Sequence, residues 1–231
     1  MRFLYCDMDG ITRGKATGTT QLAERLEGGI GLTVAMQAFT MLDRLAPVPG
    51  MGPVGEIRLV ADPSTFVVAP YAPHTGVVLV DMVTTGGEPY DADGRAFLRR
   101  MVERAAGHDL AMIAAFEPEW SLARRQDGEL VPFDASLCFD ARGMDGAAEV
   151  IDEVVTALEE QGMPVEQYYP ELGHGSRSSP SATPRRCRPP TSTCSTARRC
   201  GRSHAATAST PHSHPGRGPT SPATAATSTS P

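Results

Sequence analysis

The sequence predicts an α+β chain: two successive folded segments, then a disordered tail. Three observations support this. Short β-branched runs bounded by Gly, Pro or Asp recur through the first 175 residues. Amphipathic stretches with helical spacing stand between them. At Gly175 the composition changes abruptly: beyond it only Ser, Arg, Pro, Ala, Thr, Cys, Gly and His occur.

In chain order, "FLYCDM" alternates into a strand, and "DGITRGK" supplies its turn and a short following strand. "TTQLAERLEGG" has a Thr cap, helical spacing and a Gly stop. "LTVAMQAFTMLDRLAP" reads as a second helical stretch closed by Pro47. "GEIRLVAD", "STFVVAPY" and "TGVVLVDMV" are strands, so residues 1–88 form a small mixed domain of strands on one or two helices. A second segment, residues 89–175, opens with a helix at 93–106 whose Phe97, Leu98, Met101, Val102 and Ala105 share a face. "LAMIAAFEPEWSLAR" follows as a strand and "SLCFDAR" as another. "DGAAEVIDEVVTALEEQG" is a helix from an Asp145 cap to a Gly162 stop, and "PVEQYYPEL" begins a last strand.

The formal net charge of -6 averages two regions of opposite sign. Residues 1–175 hold all 27 acidic residues against 13 basic ones, whereas residues 176–231 hold eight Arg and no acid. The tail contains no Leu, Ile, Val, Met or aromatic residue, so it cannot bury enough apolar area to offset its chain entropy, and disorder is expected. A basic Ser/Arg/Pro segment suggests nucleic-acid binding, but no aromatic residue is present for stacking and every cation is Arg, so no nucleic-acid partner is expected. The genetic code accounts for it better. Apart from His204, His212 and His214, every tail residue type is encoded with G or C at the middle codon position, as a GC-rich gene read out of frame would give. One constant offset permits "QELSIRHAPAL" from Ser176, "VLYRETVRAV" from Thr193 and "GNGCHVHF" after Arg217. A single-base slip near Gly175 is therefore the sequence's own explanation of its tail.

No stretch approaches the roughly 18 apolar residues of a membrane span, and the N-terminus runs straight into acids rather than forming a signal peptide. Cys6 and Cys138 each sit in an apolar stretch and read as buried thiols of a cytoplasmic protein; Cys187, Cys194 and Cys200 lack zinc-ligand spacing.

Two constellations carry candidate chemistry. "FLYCDMDG" resembles the opening of haloacid dehalogenase-like phosphatases, with Asp7 as nucleophile and Asp9 as general acid. That chemistry needs a distal Lys, but Lys15 is the only Lys in the chain, so a β-turn is the simpler reading. In "FEPEW", strand alternation puts Glu117 and Glu119 on one side about 7 Å apart, where hard divalent metals would relieve their repulsion. Two solvated glutamates are the alternative. Glu171 adds a third carboxylate before the flexible "GHG"; His174 is read as a simple loop histidine.

"DMDGITRGK", "DPSTFVVAPYAP", "VLVDMVTTGGEPYDADGRAFLRR", "FEPEW" and "YYPELGHG", in this order, resemble glutamine synthetase-like ligases across essentially all of residues 1–175. The resemblance implies a β-grasp domain followed by the first part of a bifunnel catalytic domain. It further implies two Mg²⁺ or Mn²⁺ ions, ATP as co-substrate, and transfer of ammonia or a small amine to glutamate through a γ-glutamyl phosphate. Carried over residue by residue, Glu117 would hold the metal nearer the ATP phosphates, and Glu119 and Glu171 the one nearer glutamate. The Arg13-Gly14-Lys15 turn is assigned structure. No catalytic residue, and no ATP- or glutamate-binding residue, is matched within the legible sequence; these lie beyond the slip. The chain as written is accordingly expected to be inactive and not to form the family's homo-oligomeric rings. A non-catalytic relative that binds a ligand or partner is the alternative.

Overall fold

The computed structural model describes residues 1–179, 181–186 and 223–226, in two compact units. The first is built on Met1–Ile113; the second comprises Ala114–Arg185 and the strand Ala223–Ala226.

The first unit is a mixed sheet with one short helix and one longer one. Strands β1 (Arg2–Cys6) and β2 (Thr12–Ala16) form an antiparallel hairpin. Helix α1 (Leu22–Gly28) follows, stopped by Gly29 at φ 69. Then come β3 (Ile30–Thr33), β4 (Glu56–Ala61), β5 (Val67–Val68) and β6 (Gly76–Thr84). The order is β2-β1-β6-β4-β3, with β5 on β6; β1 and β6 are parallel and the other pairs antiparallel. This is the β-grasp arrangement. Phe3, Leu59 and Val80 are fully buried in its core, where alternate residues of each strand reach the same face. Helix α2 (Gly94–Ala106) is capped by Asp93, whose carboxylate accepts from Arg95 N and Ala96 N and also from Met82 N of β6. Arg95 and Arg99 meet Asp62 and Asp81 at 2.6 and 2.7 Å, fastening α2 to the sheet.

The hairpin turn is built around one carboxylate. Asp7 Oδ1 accepts from the backbone N–H groups of Asp9 (3.0 Å) and Ile11 (2.8 Å), and Oδ2 accepts from Arg13 Nε (2.5 Å). Arg13 reaches on to Asp43 at 2.7 Å and to the Thr40 carbonyl at 3.3 Å. These bonds supply the turn geometry and disfavour the phosphatase reading. The Asp7 side chain is fully buried and committed to its own turn, so it cannot attack a phosphate.

Several expectations are corrected. Residues 32–47 are not a helix: the stretch leaves β3 into a 3-10 turn (Val34–Ala38) and then an irregular loop with a Phe39–Leu45 bridge. Its apolar residues Leu32, Val34, Ala35 and Ala38 are buried by a strand end and a tight turn, not by one helical stripe. On α2, Val102 and Ala96 are buried while Phe97 is 54 % exposed, so the predicted apolar face points partly outward. Cys6 is exposed at the end of β1, and Cys138 lies half-buried in a turn rather than a strand.

The second unit centres on β8 (Glu119–Gln126), preceded by β7 (Ile113–Phe116) and followed by β9 (Glu129–Pro132). Helix α3 (Ala141–Glu160) begins at an Asp140 cap, a full turn before the expected Asp145. It packs Ala147 and Ile151 against Trp120 and Leu122 of β8. Strands β10 (Tyr169–Pro170) and β11 (Ser176–Ser178) follow, with β12 (Ser181–Arg186) on β7 and β13 (Ala223–Ala226) on β8. The boundary of the expected disordered tail is thereby moved. Residues 176–178 form a strand inside the sheet, and Arg177, Ser178 and Ser179 are buried. Strands β12 and β13 also belong to the tail segment; its other residues lie outside the described ones.

Arg177 is anchored from below the sheet. Its guanidinium donates to Asp134 and to the Gly143 carbonyl, and Asp134 also accepts from Ser136 N and Oγ. Burial pushes the Asp134 carboxyl up, but the bonds from Ser136 and Arg177 outweigh it and hold the group below the usual carboxylate range. A depressed carboxyl contributes stability that is present above its unfolded pKa and lost as pH falls through the folded one. Three outcomes follow. Asp134→Ala should cost about 3 kcal/mol in denaturant unfolding, because it leaves a buried guanidinium unpaired. Arg177→Met should cost less, since Asp134 keeps its Ser136 donors and reaches solvent. The stability gap between the natural chain and Asp134→Asn should narrow as pH falls below about 4, read as converging urea midpoints.

Candidate functional site

Pro118 separates β7 from β8, so "FEPEW" is not one continuous strand. Proline cannot donate to a ladder, and the chain leaves the two-stranded β7–β12 sheet at Glu117 and enters the β8 sheet at Glu119. Glu117 is exposed on that break, and strand alternation does not fix its direction relative to Glu119. The expected two-glutamate pitch is thus interrupted at its centre.

The pairing of β8, β11 and β10 places the other two candidates. Glu119 stands opposite Ser178, Trp120 opposite Arg177 and Ser121 opposite Ser176. Across the next ladder Tyr169 stands opposite Ser178 and Pro170 opposite Arg177, and Glu171 donates its N–H to the Ser176 carbonyl at 3.0 Å. Directly paired residues share a face, so Glu119, Ser121, Ser176, Ser178 and Glu171 lie on one side. Trp120, Leu122, Arg177 and Pro170 lie on the other, and all four are buried. From strand spacing and rise, the Glu119 and Glu171 backbones are about 12 Å apart, with β11 between them.

Each carboxylate has a distinct environment. Glu119 is exposed. Glu171 is half-buried, and its Oε2 accepts from the Cys138 thiol at 3.8 Å and from Leu172 N at 3.1 Å. Burial, and then the Glu171 carboxylate beside it, push the Cys138 thiol above its usual range, so it stays a protonated donor. Cys138 arrives there because the Phe139 N–H donates to the Pro170 carbonyl at 3.0 Å and the Phe139 ring meets Tyr169 edge-on at 4.9 Å. Phe139 holds φ 60, a left-handed conformation that this packing sustains.

The structure therefore brings Glu119 and Glu171 to one face and leaves Glu117 outside that alternation. Among the described residues no group of three His, Cys, Asp or Glu gathers closely enough to hold a metal ion. The position facing Glu119 on β11 is Ser178, a hydroxyl and not a carboxylate. The residues present do not complete a metal site. Asp9 and His174 are exposed. Sequence reasoning missed Cys138 and Arg177. Both act through partners more than 30 residues away, and the "DAS" turn at Asp134 was the only local signal.

The comparisons bear on the same two segments. Residues 1–94 match the glutamine synthetase N-terminal domain and residues 91–178 the glutamine synthetase catalytic domain. A gamma-glutamylpolyamine synthetase of Streptomyces coelicolor is 31 % identical over 175 residues, covering 74 % of this chain and 38 % of that protein. A glutamine synthetase of Pyrococcus horikoshii is 28 % identical over 179 residues, covering 75 % of this chain and 37 % of that protein. The crystal structure of a glutamine synthase homolog superposes with a TM-score of 0.76 at 28 % identity, over 90 % of this chain and 47 % of the other. The chain thus spans well under half the length of these curated relatives. Among the described residues no helix is long and apolar enough to cross a membrane. Two consecutive domain matches, the β-grasp sheet and a relative of this identity lead to one conclusion: over residues 1–178 the chain belongs to the glutamine synthetase family of ligases.

Proposed function

We propose that the chain represents the N-terminal part of an ATP-dependent glutamate–amine ligase, with the β-grasp domain at 1–88 and the start of the catalytic domain at 89–175. The observation that supports this best is the shared sheet face of Glu119 and Glu171 within the stretch matching the catalytic domain. In the proposed reaction the ATP γ-phosphoryl group moves to a γ-carboxylate oxygen of glutamate and ADP leaves. The amine nitrogen then attacks the acyl carbon, phosphate departs with the bonding pair, and the nitrogen loses a proton. The acceptor is ammonia or a small amine. A gamma-glutamylpolyamine synthetase and a glutamate–methylamine ligase of Methyloversatilis universalis (28 % identical over 121 residues) support the wider amine class.

The family's Mg²⁺ or Mn²⁺ would be held by Glu117 at one site and by Glu119 and Glu171 at the other. As the residues present do not complete either site, the 231-residue chain is proposed to be inactive. Residues 176–231 contain no Asp or Glu to supply a further ligand. Ring assembly is proposed for a frame-restored ligase, not for this chain, and the cytoplasm as its place. A second reading, a non-catalytic relative that binds glutamate or ATP without turnover, is favoured by one observation: no cluster of potential metal ligands forms among the described residues.

The test is γ-glutamyl hydroxamate formation from ATP, glutamate and hydroxylamine with Mg²⁺ or Mn²⁺, comparing this chain with one whose frame is restored after Gly175. Turnover is expected only from the restored chain. Equal turnover from both would refute the proposed inactivity. Binding of ATP or glutamate by calorimetry, with no turnover in either chain, would establish the second reading. In the restored chain Glu119→Ala should lower kcat at least about 100-fold, because the cation that would neutralise charge on the phosphoryl oxygens would lose a ligand. Ammonia, methylamine and putrescine offered in turn identify the acceptor.

A further inference from the structure

Position 177 on β11 faces two oxygen acceptors. Arg177 is 3 % exposed, and its guanidinium donates to Asp134 and to the Gly143 carbonyl. Ser136 N and Oγ hold Asp134 in turn. One contact therefore ties the loop before α3 to the strand that lies between Glu119 and Glu171. With acceptors on the facing side, this position takes a side chain that donates a hydrogen bond. A carboxylate there would meet Asp134 as a buried like charge, which is costly. The other reading frame bears on this requirement. The Gln of "QELSI" takes the last base of codon 176 and the first two of codon 177. If one base was lost upstream, putting it back numbers that Gln 177, with the Glu at 178. If two bases were gained instead, taking them out puts the Glu at 177, against Asp134.

We propose that Asp134 is a positioning residue of the glutamate–amine ligase. It accepts from a glutamine amide at position 177, the place that Arg177 fills in this chain, and so fixes the register of β11 between Glu119 and Glu171. The slip is then the loss of one base. Both side chains present N–H groups to Asp134, which is why β11 pairs normally here with a residue from the wrong frame. Glutamine is two bonds shorter than arginine. Asp134 stands on a turn at 23 % side-chain exposure, which leaves it room to follow the shorter donor inward. The effect on turnover rests on the ligase reading; the contact itself does not.

Two measurements test it and fail separately. The first uses the present chain and needs no activity. Arg177→Gln should nearly keep the urea unfolding midpoint, whereas Arg177→Glu should lower it clearly. Adding Asp134→Asn to Arg177→Glu should recover much of that loss, since the like charges are gone and the new amide can donate. Equal midpoints for Arg177→Gln and Arg177→Glu would overturn the proposal. The second measurement compares two restored chains in the hydroxamate assay, one with a base added near codon 175 and one with two bases removed. Turnover is expected from the first alone, and turnover from the second alone would overturn the proposal. In the active chain Asp134→Asn, which keeps an acceptor, should retain kcat within about threefold. Asp134→Ala should lower kcat at least about tenfold at a folded fraction matched by circular dichroism. Equal loss in both variants would refute the positioning role. If neither restored chain turns over, the ligase reading falls, while the urea ordering still decides the contact.

Discussion

The register between β8 and β11 is the constraint on which the second unit depends. A side chain changes face with every residue, so a slip of one position would carry Trp120 and Leu122 into solvent and Glu119 into the core. Gly175 helps to set that register. It holds φ 70, and a Cβ there would stand 2.4 Å from the Leu122 carbonyl oxygen, closer than any side chain can approach. Only glycine lets the chain turn this sharply against β8 and begin β11 with its carbonyl already bonded to Leu122. From that bond follow the face shared by Glu119 and Glu171 and the opposite face that α3 covers.

The same register explains why the change in composition at Gly175 does not end the folded structure there. Ladder bonds are made by the backbone, and a Ser-Arg-Ser strand makes them as well as an apolar one. What the side chains must then satisfy is burial. Arg177 lands on the core face, and a buried guanidinium is tolerable only with an acceptor at hand. Asp134, held by the Ser136 turn, and the Gly143 carbonyl at the start of α3 supply it. Gly143 has its own reason to be glycine: a Cβ would meet Ser136 at 2.5 Å. The loop that carries Asp134 and the first turn of α3 thus close on each other around one side chain from the tail.

Much of the first unit was legible because its signals are local. Strands β1, β2, β4 and β6 alternate or run apolar between Gly, Pro and Asp, and the Asp7-to-Gly10 turn announces its own geometry. Gly162 marked the end of α3 for the same reason. The failures were positions where a distant contact outweighed a local pattern. The 32–47 stretch has helical spacing, but its first residues pair Leu32 with Ile57 and Thr33 with Glu56 in the β3–β4 ladder. Helix α3 was expected to start at an Asp145 cap, yet Asp140 caps it one turn earlier and packing against Ser136 uses Gly143. Of the candidate site, the residue types were visible and their arrangement was not. Pro118 could be read as a break, but only the two ladders show that Glu119 and Glu171 share a face with β11 between them.

That arrangement also locates the chemical gap. The proposed metal site would need a third group between Glu119 and Glu171, and the strand position opposite Glu119 is Ser178. A hydroxyl is a neutral oxygen donor with a single reach, so it cannot replace the charge of a carboxylate toward a divalent cation. A carboxylate at this position would face Glu119, and the serine present does not supply one. Fold and chemistry have come apart at one strand because pairing depends on main-chain groups that every residue carries, whereas ligation depends on side chains that the tail's eight residue types do not include.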